Sequence, residues 1–261
     1  MNFLKGETLY IDKPLGWTSF DAVKRLRSTM LRRLGLKKMK VGHAGTLDPL
    51  ASGVMIIVTG KSTKLIEQLQ AGVKEYVATL TLGATTPSFD LETEIDATFP
   101  TDHITLELVK QVLPQFIGRI EQVPPSFSAC KVDGKRAYKM ARSGQQVELK
   151  PKILVIDEIE LLNFSPTEIT LRIVCSKGTY IRALARDIGQ ALNSGAHLSA
   201  LRRTRVGDTS IDQCLSIDQA VDLIRSCPIE MPDEDDAPST NPSGHSNKAA
   251  KLIHSSSAER N

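Results

Sequence analysis

Aromatic residues are scarce in this chain, 5% of the total with a single tryptophan, and its four cysteines are scattered. Cys130, Cys175, Cys214 and Cys227 form no C-x-x-C pair. That spacing excludes a zinc ribbon and a disulfide framework, and no metal is expected. No apolar run reaches the length of a membrane span, and Met1 to Gly6 lacks the long apolar core of a secretory signal. A cytoplasmic protein with no membrane partner is expected. Glycine-rich phosphate fingerprints of the Walker and Rossmann kinds are missing, so neither ATP nor NAD is indicated. There is no internal repeat. Acidic residues are absent from Ala22 to Leu47, where Lys24, Arg25, Arg27, Arg32, Arg33, Lys37, Lys38 and Lys40 all carry positive charge.

What remains is a globular composition. Apolar residues make up 41% of 261 positions, enough for a sizeable core. The formal charge of +3 understates the body: Ile229 to Asn261 holds six acids and three bases, which leaves 30 Lys and Arg against 24 Asp and Glu in the rest. Clustered positive charge of this kind suits a phosphate backbone. From Pro228 onward the chain is rich in Pro, Ser, Asp and Asn, a composition that cannot repay the entropy of ordering. Residues 1–228 are expected to form one folded unit and 229–261 a disordered polar tail.

Hydrophobic periodicity orders the folded unit. Thr8 to Asp12 reads as a strand, followed by a helix capped by Thr18 or Ser19 with Phe20, Val23, Leu26, Met30 and Leu34 on its inner face. Val54 to Val58 is a continuous β-branched run, hence a buried strand. A short helix is expected from Lys61 to Gln70, a strand from Glu75 to Leu82, loop composition from Ala84 to Pro100, and a helix from Leu106 that Pro114 kinks or ends. Ile153 to Asn163 and Glu168 to Cys175 form a plausible hairpin turning at Pro166. A helix from about Tyr180 to Leu192 is expected to expose Arg182 and Arg186. Leu198 to Val206 is expected as a strand, and Ser216 caps a last helix ending near Arg225. Strands and helices mixed without strict alternation predict an α+β domain built on a single mixed, largely antiparallel sheet.

Four stretches carry candidate chemistry. Gly42-His43-Ala44-Gly45-Thr46-Leu47-Asp48-Pro49-Leu50-Ala51-Ser52-Gly53 ends the acid-free run with one carboxylate, which glycines and Pro49 present rigidly. The others are Lys74-Glu75-Tyr76, the basic segment Pro124 to Gly144, and Lys177-Gly178-Thr179-Tyr180-Ile181-Arg182. An isolated Asp-Pro pair is most often a simple turn, and an isolated arginine is surface charge; the combination is far more specific.

Together these stretches resemble the TruB-type tRNA pseudouridine synthases over nearly all of Leu9 to Val206. Asp12-Lys13-Pro14-Leu15-Gly16 is similar to that family's N-terminal motif, and Pro124 to Gly144 to the segment that closes over bound RNA. Phe127 stands where other members often have tyrosine. The resemblance implies the pseudouridine synthase catalytic fold and an isomerase that converts uridine to pseudouridine in the T-loop of tRNA, at position 55, without a cofactor. It implies Asp48 as the carboxylate that acts on the sugar or stabilises the detached base, Tyr76 as the ring stacked on uracil and candidate remover of the C5 proton, and Arg182 as the partner holding Asp48 ionised. Substrate contacts are implied for His43, which fills the gap left by the flipped base, for Tyr180 and Leu201 around the uracil, and for Lys13 in support of the loop. Contacts to the RNA backbone are expected from Arg32, Arg33, Lys37, Lys131, Arg142, Arg202 and Arg203. A tRNA T-stem-loop is the expected partner of a monomer. The alternatives are a catalytically silent RNA-binding or tRNA-folding protein on the same scaffold, and a synthase guided by a separate RNA. The guided reading is weakened because only a short polar stretch follows Arg225, with no C-terminal PUA domain.

Overall fold

The computed structural model describes residues 1–128, 131–132, 135–142 and 149–230. Met1–Met231 forms one compact unit. The polar tail expected from 229 lies, past residue 230, outside the described residues.

In chain order the elements are β1 (Thr8–Lys13), α1 (Ser19–Leu34), β2 (Val41–Ala44), β3 (Ala51–Thr59), a 3-10 turn (Gly60–Leu65) running into α2 (Ile66–Ala71), β4 (Lys74–Leu82), β5 (Ala84–Thr85), β6 (Ala97–Thr98) and α3 (Leu106–Val112). There follow β7 (Gly118–Gln122), β8 (Lys131–Val132), β9 (Lys135–Arg136), α4 (Ala137–Arg142), β10 (Lys152–Ser165), β11 (Glu168–Cys175), α5 (Ile181–Ala191), β12 (Ala196–Val206), β13 (Thr209–Ser210) and α6 (Ile217–Ser226).

One mixed sheet of nine strands runs β1-β3-β12-β4-β11-β10-β7, with β2 on β3 and β13 on β12. Every pair in it is antiparallel except β3 with β12. The expected α+β class with a largely antiparallel sheet is therefore observed. One face of β4 and β11, including Tyr76, Leu80, Ile169, Leu171 and Ile173, packs on α3 and α5. At the other end of the sheet, β1, Met55 and Ile57 meet α1 and α6 through Leu26, Met30, Val221 and Ile224. Val54, Ile56 and Val58 point the opposite way into a third cluster with Ala44 and Val206. Strand β3 is thus covered on both faces, which is why its sequence is uniformly apolar rather than alternating.

The structure departs from the sequence reading at several points, Phe20 among them, which is 68% exposed instead of facing inward. Lys61 to Gln70 is not one helix: a 3-10 turn precedes a single short α-helical stretch. Strands β2 and β7 lie in segments with weak local signals, and each exists through its pairing with β3 or β10. Arg182 does not lie on an exposed face of α5; it is 4% exposed, since that turn of the helix is covered by residues from elsewhere in the chain.

Candidate active site

Strand β3 builds the site through an edge shared by two partners. Ala51–Gly53 pair in parallel with Leu201–Arg203 of β12, whereas Ile56–Thr59 pair with β2. The gap between those partners is filled by a side chain. Arg203 donates from Nε to the Val54 carbonyl at 2.7 Å, from Nη2 to the Gly45 carbonyl at 3.1 Å and from Nη1 to the Thr46 carbonyl at 3.5 Å. A guanidinium with five donors replaces the ladder bonds that a backbone would have supplied there. The crossing is so close that a Cβ on Gly53, which has φ +109°, would meet the Arg203 carbonyl oxygen at 2.1 Å. The sequence reading of Arg203 as a contact to RNA phosphate is not met. Arg203 is 2% exposed, and backbone carbonyls take its donors.

The loop that leaves β2 at Gly45 carries Asp48 and is held from a second side by α1. Thr18 caps this helix in a reciprocal box with Asp21, which frees Ser19 for another task. The Ser19 hydroxyl donates to the Leu47 carbonyl at 3.0 Å and accepts from the Leu47 N–H at 2.9 Å. The Gly16 N–H donates to the Pro49 carbonyl at 2.8 Å. Lys13 is buried, and its ammonium donates to the carbonyls of Pro14 at 2.9 Å and Trp17 at 2.6 Å. Burial lowers its pKa to about 8, with Asp48 opposing the shift. Lys13 thus shapes the turn beside the loop from within and does not reach the surface.

Arg182 enters from the opposite side. Helix α5 has no side-chain cap from Tyr180. Gln122 of β7 holds its start instead, accepting from the Tyr180 N–H at 2.9 Å and donating to the Tyr180 carbonyl at 3.2 Å. From the first turn, Arg182 Nε lies 2.9 Å from Asp48 Oδ2 and 3.5 Å from Asp90 Oδ2, while Nη1 donates to the Ser88 carbonyl at 3.1 Å and Nη2 to the Phe127 carbonyl at 2.9 Å. Asp90 belongs to a turn in which Phe89 adopts φ +63° under the Arg186 guanidinium, 4.7 Å from the ring centroid. Nothing in the sequence singles out Asp90 or its turn. The segment reads only as Thr-, Ser- and acid-rich loop, and no local signal marks the one acid that faces an arginine.

Asp48 and Arg182 line a narrow cleft with Leu50, Ala51, Asp90 and Leu198–Leu201. The Asp48 side chain is 41% exposed through the mouth of this cleft, against 5% for Arg182. Crowding by the surrounding chain raises the Asp48 carboxyl above the ordinary carboxylate range, Arg182 pulls it down, and Asp90 and Glu92 push it up. The net direction is upward, contrary to the expectation that the arginine would dominate. Tyr76 is buried and faces Arg203. Burial raises its phenol, so it is protonated at neutral pH, and the arginine opposes that rise. Leu201 lines the cleft, and Tyr180 is half-buried at the start of α5.

The remaining residues divide by exposure. His43, half-buried in β2, has a buried Nδ1 with no hydrogen-bond partner among the described residues, and burial lowers its pKa. Arg202 forks onto Asp12 at 2.8 and 3.2 Å and also reaches Ser52. Arg32, Arg33 and Lys37 are exposed. The side chains of Lys131 and Arg142 lie outside the described residues. No group of three or more metal-binding side chains converges among the described residues.

Residues 32–181 match the model of the TruB family pseudouridylate synthase N-terminal domain, and residues 182–230 match the tRNA pseudouridylate synthase B C-terminal domain. The chain belongs to the TruB family. The chain is 70% identical over 218 residues to tRNA pseudouridine synthase B of Phocaeicola vulgatus, covering 84% of this chain and 93% of that protein. To the protein of the same name from Bacteroides fragilis it is 65% identical, covering 89% of this chain and all of its relative. Among solved structures, a chain of a Cbf5-Nop10-Gar1 complex superposes with TM-score 0.62 at 29% identity, and one from an H/ACA RNP bound to a substrate RNA with 0.60 at 29%. The alignments cover 85% and 84% of this chain, which spans about half the length of those solved chains. TruB-family membership thus covers both Asp48 and Arg182.

Proposed function

We propose that this TruB-family chain isomerises uridine to pseudouridine in the T-loop of tRNA, at position 55, with Asp48, Tyr76 and Arg182 at the reacting base. The contact that carries this reading is the 2.9 Å pair of Arg182 with Asp48 at the foot of a cleft that also holds Leu201. In the reaction the N1–C1′ bond breaks, the uracil turns, C5 bonds to C1′, the C5 proton leaves and N1 ends protonated. No electrons are exchanged with another molecule, so the reaction needs no redox cofactor.

A carboxylate supplies what an electron-poor C1′ needs, either as nucleophile or as a fixed negative charge. Arg182 orients Asp48 and restrains its upward pKa shift. Tyr76 is a neutral phenol in the resting site; its ring is assigned to stack on the base, and removal of the C5 proton through its oxygen requires the help that Arg203 gives to a developing phenolate. The uridine has to leave its loop to reach the cleft, at a cost of roughly a few kcal/mol; half-buried His43 on β2, beside the Asp48 loop, is the residue to occupy the space it vacates. Exposed Arg32, Arg33 and Lys37 serve the phosphate backbone, while Lys131 and Arg142 keep that role as a proposal from the sequence. The catalytic unit is residues 1–228, working as a cytoplasmic monomer.

The test is a T-stem-loop transcript tritiated at uracil C5. Wild-type protein releases tritium, and Asp48→Asn does not. Equal release by both excludes Asp48 as the acting carboxylate, and binding without release by wild type favours the silent RNA-binding alternative.

A further inference from the structure

Helix α1 begins beside the Asp48 loop and carries the exposed basic face, Lys24, Arg25, Arg27, Arg32 and Arg33, away from it. At its near end lies an open cavity of about 450 Å³ lined by Gly16, Trp17, Asp21, Lys24, Arg25 and Ser28. That volume falls within the range of small-ligand sites. Trp17 is the only tryptophan of the chain. It packs against the cluster between α1 and α6 and also lines the cavity, and its carbonyl is held by the buried Lys13 ammonium at 2.6 Å. The ring is therefore mounted on the core with surface to spare. Lys24 and Arg25 are exposed, and neither is in an ion pair among the described residues. Asp21 is the one acid in the lining, and its carboxylate already accepts from the N–H and hydroxyl of Thr18.

A fixed aromatic surface flanked by two exposed cations, with no acid from Ala22 to Leu47, is the combination that binds a nucleotide: the base stacks and the phosphate is neutralised. We propose that this cavity is an RNA subsite, in which a base of the substrate stacks on Trp17 while the adjoining phosphate pairs with Lys24 and Arg25. The 2.8 Å bond from Gly16 to Pro49 ties the wall of this subsite to the loop that presents Asp48, so a nucleotide bound here is held against a segment that also braces that loop. The subsite rests on the proposed RNA substrate, and the two are separable by experiment.

Because Trp17 is the only indole, its fluorescence reports the cavity alone. The full chain is titrated with an unmodified T-stem-loop RNA while acrylamide quenching of Trp17 is followed, and tritium release from the C5-labelled RNA is measured in parallel. Binding is expected to shield Trp17 from acrylamide. Lys24→Gln/Arg25→Gln is expected to raise Kd about tenfold and to flatten the slope of log Kd against log salt by about one to two. Trp17→Phe keeps the affinity and Trp17→Leu, equally apolar toward the core, loses about tenfold. RNA that binds and releases tritium without shielding Trp17, with unchanged affinity in Lys24→Gln/Arg25→Gln, overturns the subsite and leaves the activity standing. Shielding by polyglutamate as complete as by RNA would assign the cavity to an acidic peptide and overturns it too. Absence of both RNA binding and tritium release overturns the subsite together with the substrate.

Discussion

Arg182 and Asp48 meet through a single Nε to Oδ2 contact of 2.9 Å, and the same Nε lies 3.5 Å from a second carboxylate, Asp90. One cation is thus divided between two acids while its other nitrogens are committed to the Ser88 and Phe127 carbonyls. Its position is over-determined, and the position of Asp48 depends on it. Asp90→Asn is expected to lower the rate of tritium release by about 10²-fold through misplacement of the pair. Because Asp90 pushes the Asp48 carboxyl upward, the acid limb of the pH–rate profile should also move to lower pH in this variant. A rate within twofold of wild type and an unmoved limb would remove Asp90 from the positioning of Arg182.

The raised carboxyl of Asp48 links activity to stability with opposite signs. Activity requires the carboxylate, so the rate should rise with pH through a midpoint above the ordinary Asp value and then level off. Stability runs the other way: a carboxyl whose folded pKa is raised favours the folded state when protonated, a contribution fully present below the unfolded value and lost as pH rises through the folded one. Asp48→Asn should therefore match wild type in denaturant midpoint at low pH and exceed it at neutral pH. Equal midpoints at neutral pH would mean that the folded state imposes no net cost on the charge.

Arg203 and the arginines of α1 should separate stability from RNA affinity. Arg203→Met leaves the Val54, Gly45 and Thr46 carbonyls without their donor, each worth about 1–3 kcal/mol when buried and unsatisfied. A fall in Tm of several degrees, at about 2–4 °C per kcal/mol for a domain of this size, is expected in thermal unfolding followed by circular dichroism. Arg32→Gln/Arg33→Gln should leave Tm within about a degree and instead reduce the salt dependence of RNA binding by roughly 0.7–0.9 for every phosphate no longer neutralised.

Gly53→Ala should be more damaging than an ordinary glycine substitution. The added Cβ would stand 2.1 Å from a backbone oxygen, at a φ of +109° that side chains rarely adopt. Neither problem is relieved without parting β3 from β12. Loss of soluble protein, or a Tm lowered by more than 5 °C, is the expected outcome on expression and melting, about 2 kcal/mol or more at this size.

Lys13 should titrate near pH 8 instead of its usual 10.5, measurable as the midpoint of its Nζ resonance by NMR in ¹⁵N-lysine-labelled protein. Since the folded pKa is depressed, the unfolded chain holds the extra proton between those values, and stability from this group should increase as pH rises from about 8 to 10.5. A midpoint above 10 would show that water reaches the ammonium that the Pro14 and Trp17 carbonyls enclose.

The amino-acid sequence by itself determined the class of fold and the main elements, because those depend on periodicity and local caps. The apolar run Val54–Val58, the alternation of β4, the Pro166 turn and the Thr18 and Ser216 caps are local signals, and each element formed close to where its signal lies. The motif around Asp48 was legible for the same reason, since its glycines, proline and lone acid are contiguous. Tertiary structure alone decided what surrounds that acid. Whether an arginine faces water, a carboxylate or a carbonyl depends on which strands meet, so Arg182 and Arg203 turned out buried although sequence marks both as charged. Asp90 acquired a partner only because the turn at Phe89 folds back over α5. The pKa of Asp48 was likewise beyond sequence: it is a balance between one nearby cation and the crowding and acids that the fold assembles around it.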